Sequence, residues 1–248
     1  MEVASDVTLF YWLIALIELV EEGNIEIPKR NIFSRMISNC WYTINYFHIS
    51  FGKQDNLQIA VEKILKVEKL TIDEKKSKLE TCLENSTNKE SVNQLFHFDK
   101  NVPHWFLSPW FPKINNETDN QQKSRIYSDS QLFVNDCLYA LHKDFIAINP
   151  IWIPYLQSNA KVLKDFCYWN LSLFLQTRNP NVPDISNKLI KPGIRNGLTK
   201  QTNEYWKLVF KELGSINCIF TDTKLYFDEK NYALDHFVPH AFVSHDLI

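Results

Sequence analysis

The sequence predicts an α+β protein that is mostly α. A helical domain over residues 1–214, carrying one small hairpin, is followed by a short β-containing module over 215–248. Three observations predict this. Only five glycines occur in 248 residues, too few for a many-turned β-sandwich. Apolar residues recur at helical spacing through several long segments of the first domain. Short runs of strand-forming residues, bounded by turn residues, appear at 137–148 and again at 218–225.

Taken in order, residues 7–20 are the most apolar window. They are too few to span a bilayer, lack a basic flank and contain Glu18, so they read as the central buried helix, ended by Gly23 in the left-handed conformation. Pro28 suits a first helical turn and opens a helix over 29–47. Asp55 caps the next, where Leu57, Val61, Ile64 and Leu65 share a face. Residues 73–84, charged but holding Leu79 and Leu83, predict a solvated helix, and 89–98 a further short one. Then Pro103, Pro109 and Pro112 interleave with Trp105, Phe106, Trp110 and Phe111. Residues 102–111 are therefore expected as a docked loop, and the polar run 115–124 as a flexible insertion.

A hairpin is predicted from 137–141 and 145–148, turned at His142-Lys143-Asp144. A short helix after Pro150 and a long one over 160–178 should follow. In the long helix Val162, Phe166, Trp169, Leu173 and Phe174 predict a core stripe, packing rather than a platform for stacked bases. After a Gly- and Pro-containing loop, Thr199 can cap a helix through Leu213, which Gly214 ends.

Charge and cysteine usage narrow the function. A formal net charge of −2 excludes a chain that coats nucleic acid over its whole surface, but not one with a local basic groove. Between 178 and 211 seven basic residues oppose only Asp184 and Glu204; Lys188, Lys191, Arg195 and Lys200 are the candidate phosphate contacts. The same charges read equally well as a solvated face. Five scattered cysteines without paired spacing fit reduced thiols in a cytoplasmic protein, and no membrane partner is expected. Neither a Gly-rich phosphate loop nor a nucleophilic Ser or Cys motif occurs.

The segment 231–248 carries the most chemistry. An apolar, strand-like run ends in Asp235-His236, followed by an aromatic and a proline. Phosphodiester hydrolysis needs a base to activate water and a divalent cation to absorb charge on the phosphate and leaving oxygen. A neutral imidazole suits the first task, and a carboxylate offers the hard oxygen that Mg²⁺ prefers. Neighbouring residues on a strand point to opposite faces, so the pair can divide these roles.

This terminal motif, with Phe10-Tyr-Trp-Leu-Ile-Ala-Leu-Ile-Glu-Leu-Val20, Arg35-Met-Ile-Ser-Asn-Cys-Trp-Tyr42, Phe51-Gly-Lys-Gln-Asp55, Phe166-Cys-Tyr-Trp-Asn-Leu171 and Asn179-Pro-Asn-Val-Pro183, resembles the bacterial HNH endonuclease-domain family over nearly the whole chain. The resemblance implies a long helical region before a C-terminal ββα-metal (HNH) module. It also implies Asp235 as metal ligand, His236 as general base, Mg²⁺ or Mn²⁺ as cofactor, and DNA as the nucleic-acid partner in restriction or phage defence. Many relatives hold zinc at a Cys-x-x-Cys knuckle in the preceding hairpin; here Cys218 is followed by Thr221, so no zinc knuckle is supported. In the family the segment after His-Asp-Leu-Ile continues with Trp-Asn-Leu and an Asn- and Ser-rich helix. Within these residues that continuation does not occur, so the module is expected to be incomplete, truncated within the motif. His245-Asp246 is not expected to replace it, since about two turns of helix would be needed to build the usual site. The competing expectation is a catalytically inactive DNA-binding or partner-binding module derived from such a nuclease.

Overall fold

The computed structural model describes residues 6–52, 55–190, 198–229, 231–234 and 242. The chain divides into two compact units, 1–191 and 192–248.

The first unit is built around α1 (Asp6–Glu21), which is buried almost all round: Tyr11, Trp12, Ile14, Ala15, Leu16 and Ile17 have no exposed surface. Each large apolar side chain so enclosed contributes roughly 1.5–3 kcal/mol, which is why this helix has no polar face. Its end is a Schellman motif. Gly23, at φ +89°, donates to Val20 O and Asn24 donates to Leu19 O, both at 3.0 Å. α2 (Lys29–Asn45) and α8 (Ile153–Arg178) pack along α1.

Around α2 lie α3 (Asn56–Val67), α4 (Lys76–Asn85) and α5 (Lys89–Phe96). Asp55 caps α3 as expected, accepting from Leu57 N at 2.9 Å and Gln58 N at 3.0 Å. Leu79 and Leu83 are the buried face of the otherwise charged α4. Arg35 ties three elements together, with Glu22 at 2.7 Å and Glu80 at 2.9 Å.

Two expectations for 100–130 are corrected. The aromatic-proline stretch does dock on the core through Val102, Leu107 and Phe111, but its first half is α6 (Val102–Phe106). Pro103 sits in the first helical turn, where its missing N–H leaves no bond unmade. The run 115–124 is not a flexible insertion. It forms a turn and the start of α7 (Asp119–Ser130), opened by a capping box between Thr118 and Gln121. Buried Gln122 donates to Phe111 O at 3.0 Å, and Arg125 grips Glu117 at 2.8 Å. Polar composition concealed an element held by specific hydrogen bonds.

The predicted hairpin is present as β2 (Tyr139–Leu141) and β3 (Phe145–Ile148). A third strand, β1 (Glu26–Pro28), pairs antiparallel with β3 through Ile27 opposite Ile146, giving the order β1–β3–β2. Three residues carry no periodicity, so β1 was invisible in the sequence. Tyr139 joins the sheet to the helices: its ring meets Trp12 at 6.0 Å, and its hydroxyl donates to Pro103 O at 2.7 Å. The turn before α8 and α8 itself form one continuous helical run, with α9 (Ile185–Lys188) closing the first unit.

The second unit contains α10 (Thr199–Gln201), a wide turn over Thr202–Trp206, and α11 (Lys207–Leu213) in one helical run, ended by Gly214 at φ +69°. Leu198, not Thr199, occupies the capping position. A hairpin follows, β4 (Ile216–Asn217) with β5 (Lys224–Leu225). Among the described residues no helix is long and apolar enough to cross a membrane, and all five cysteines are free thiols.

Candidate functional site

The chain reaches the Asp-His pair from the β4–β5 hairpin. Its turn closes through Cys218 N to Thr223 O at 2.9 Å and Asp222 N to Cys218 O at 2.8 Å, with Asp222 left-handed at φ +58°. Hydrogen bonding from Thr221 holds the Cys218 thiol below its ordinary pKa. Beyond β5, Asn231 turns back to the strand, its amide donating to Lys224 O at 3.3 Å. Tyr232 packs its ring on Phe210 of α11 at 5.0 Å, and Phe227 on the same ring at 6.0 Å. Residues 231–234, read from the sequence as a strand, carry no strand pairing.

Asp235 and His236 lie outside the described residues, as do Lys191 and Arg195. Of the other two candidate phosphate contacts, Lys200 is exposed near the start of the second unit's helical run, with Lys207 and Lys211 exposed further along it. Lys188 is placed differently. Its side chain has no exposed surface, its ammonium donates to Pro183 O and lies over the Phe47 ring at 5.9 Å, and its carbonyl accepts from Thr43 Oγ1 at 2.9 Å. Burial lowers its pKa, partly offset by Asp184. In this position Lys188 seals α9 against α2 and presents no charge to a phosphate; a basic count along the chain cannot distinguish the two. Among the described residues no three His, Cys, Asp or Glu side chains converge as a metal site.

Two of the segments quoted for the family resemblance meet. Asn179 Oδ1 accepts from Ser50 N, and its amide donates to Ser50 O, both at 2.9 Å. The Asn-Pro-Asn turn thereby holds the loop that presents Phe51 to Tyr11, stacked at 5.8 Å.

The first unit carries a different kind of surface, which the sequence reading missed. α8 buries Leu156, Ala160, Cys167, Leu171 and Leu175 against α1, and it leaves Val162, Phe166, Trp169 and Leu173 between 52% and 67% exposed. The expected core stripe is therefore solvent-facing, and only Phe174 of that set packs on the core. Both faces of the helix are apolar, and burial went to the one with smaller residues, Ala160 and Cys167, which allow close approach to α1. The small residues within the buried set were the missed signal. Beside the exposed stripe lies a cleft of about 710 Å³, lined by Leu9, Phe10 and Leu13 of α1, Phe106 at the end of α6, Trp110 after it, and Leu173 and Phe174 of α8.

A third cluster surrounds His104 on α6. Burial, then the nearby ammonium groups of Lys29 and Lys123, push its pKa down from 6.5 to about 4; Asp99 is engaged by Lys29 at 2.7 Å. The folded state therefore keeps His104 neutral while the unfolded chain protonates it, and stability is lost as pH falls from 6.5 towards 4. Allowing for partial exposure of the ring, the loss is on the order of 2 kcal/mol. Urea unfolding at pH 7 and pH 4.5 should show a smaller difference for His104→Phe than for the unsubstituted chain; equal differences would assign the titration elsewhere.

Comparison with protein-family models, with curated proteins and with solved structures found no match to this chain.

Proposed function

We propose that the chain is an HNH-type endonuclease that hydrolyses nucleic-acid phosphodiesters, with DNA as substrate and a cytoplasmic role in restriction or phage defence. The observation that carries this reading is the Asp235-His236 pair, which follows the β4–β5 hairpin in the sequence by ten residues. Packing of Tyr232 on Phe210 supports it, since the backbone is anchored three residues before Asp235. His236 takes the proton from the attacking water. Asp235 offers the hard carboxylate oxygen that would hold Mg²⁺ or Mn²⁺, leaving the imidazole of His236 for the proton; when bound, the cation neutralises charge on the phosphate and leaving oxygen. Exposed Lys200, Lys207 and Lys211 hold backbone phosphates near the hairpin that leads to the pair.

Plasmid cleavage with Mg²⁺ or Mn²⁺ tests the reading. His236→Ala should lower the cleavage rate at least about 100-fold, the usual share of a general base. Cleavage that survives the substitution, or no cleavage by the unsubstituted chain, would overturn it. A second reading, a non-catalytic partner-binding module, is favoured by the exposed apolar face of α8 and its cleft, features that phosphodiester hydrolysis does not require.

A further inference from the structure

The exposed residues of α8 have an order that a scattered apolar surface lacks. Val162, Phe166, Trp169 and Leu173 are separated by four, three and four positions, the spacing of the a and d seam through which paired helices interdigitate. Extending the same spacing reaches Asn159 on one side and Gln176 on the other. The set is also symmetric about a point midway between Cys167 and Tyr168. Reversing the direction of the helix about that point lays Val162 over Leu173, Phe166 over Trp169, and Asn159 over Gln176.

We propose that α8 pairs antiparallel with α8 of a second copy of this chain across a two-fold axis, Val162 against the second copy's Leu173 and Phe166 against its Trp169. A two-fold contact must be self-complementary, residue i meeting j wherever j meets i, and this stripe satisfies that condition at every seam position from 159 to 176. The central layers pair aromatic with aromatic and the flanking ones aliphatic with aliphatic, while the outermost oppose two carboxamides. Antiparallel alignment also opposes the helix dipoles favourably.

Charge supports the same occupant. Asp165 is the ionisable side chain flanking the exposed seam, and the two-fold sets it on the same flank as the second copy's Ser172, so no like charges meet directly. Lys164 is turned to Glu21 of its own chain at 2.6 Å, and Lys161 lies off the stripe. The seam therefore offers little to a nucleic-acid phosphate, which requires cations. The area is in the right range. With two aromatic and two aliphatic side chains more than half exposed, pairing removes on the order of 1,000 Å² in total, at the lower end for a specific interface. A reversible dimer in the micromolar range follows. This inference does not rest on the nuclease reading.

Sedimentation equilibrium of the full chain from about 1 to 100 µM tests it. The unsubstituted chain should pass from monomer to dimer across that range; a monomer throughout would overturn the proposal, whatever the variants do. Val162→Lys alone and Leu173→Glu alone should each weaken dimerisation at least about tenfold. An equimolar mixture of the two should recover it, because the antiparallel register brings the introduced lysine of one chain to the introduced glutamate of the other while the second Val–Leu pair stays apolar. Variants that each dimerise as tightly as the unsubstituted chain, or a mixture that recovers nothing, would overturn the pairing.

Discussion

Trp41→Ala is expected to lower the free energy of unfolding by about 4 kcal/mol, whereas Trp169→Ala in dilute solution should change it by less than about 0.5 kcal/mol. Both are tryptophans on long helices, so propensity cannot separate them. Trp41 on α2 has no exposed surface, and its Nε1 donates to Thr71 O at 3.0 Å, pinning the connection between α3 and α4. Truncation removes the largest apolar side chain type from a closed space and leaves that carbonyl without its partner. Trp169 is 64% exposed and loses little that water does not replace. Urea unfolding followed by far-ultraviolet circular dichroism measures both. Trp41→Phe, which keeps an aromatic ring but not the donor, should fall between them. Equal losses for Trp41→Ala and Trp169→Ala would mean that α8 does not present the face described.

Asp99→Ala should cost about 3 kcal/mol, because it strands a buried ammonium. The Lys29 side chain is 4% exposed; its Nζ lies 2.7 Å from Asp99 and donates to Lys143 O at 3.1 Å, while its backbone N–H donates to Asp144 O at 2.9 Å. One residue thus fixes the start of α2, the turn of the β2–β3 hairpin and the segment after α5. Asp99 is about one-third exposed, which places the loss at the lower end of the range for broken buried pairs. Replacing both partners, Lys29→Met with Asp99→Ala, should recover part of the loss, since no unpaired charge then remains. A double-mutant cycle measures the coupling, and a cycle in which the two changes simply add would sink this account of the pair.

The local chemistry of helix ends was readable directly. Gly23, Asp55 and Gly214 each act where the sequence placed them, because a left-handed stop or an aspartate cap is satisfied within a few residues of its own backbone. The β2–β3 hairpin was readable for the same reason, its partners being joined by one turn. β1 was not, because Ile27 finds its partner Ile146 more than a hundred residues away. The helix beginning at Asp119 was hidden behind polar composition, although the Thr118–Gln121 capping box was present to be read. Of the candidate site, the sequence supplied the residue types and the hairpin leading to Asp235 and His236, and it placed Lys200 on a helix.

What could not be read along the chain is which of two apolar faces becomes interior. α8 carries two apolar stripes, and hydrophobic periodicity scores both alike. The choice fell on the stripe whose small residues let α1 approach, leaving Phe166 and Trp169 in solvent. Lys188 is the converse: a charge that composition assigns to the surface is enclosed because Pro183 O and the Phe47 ring receive its ammonium. Helices, caps and the hairpin follow from contacts among near neighbours, so residue order determined them. Burial is a competition among segments distant in sequence, decided by close packing and by where a charge finds its partners, and only the tertiary structure holds both sides of it.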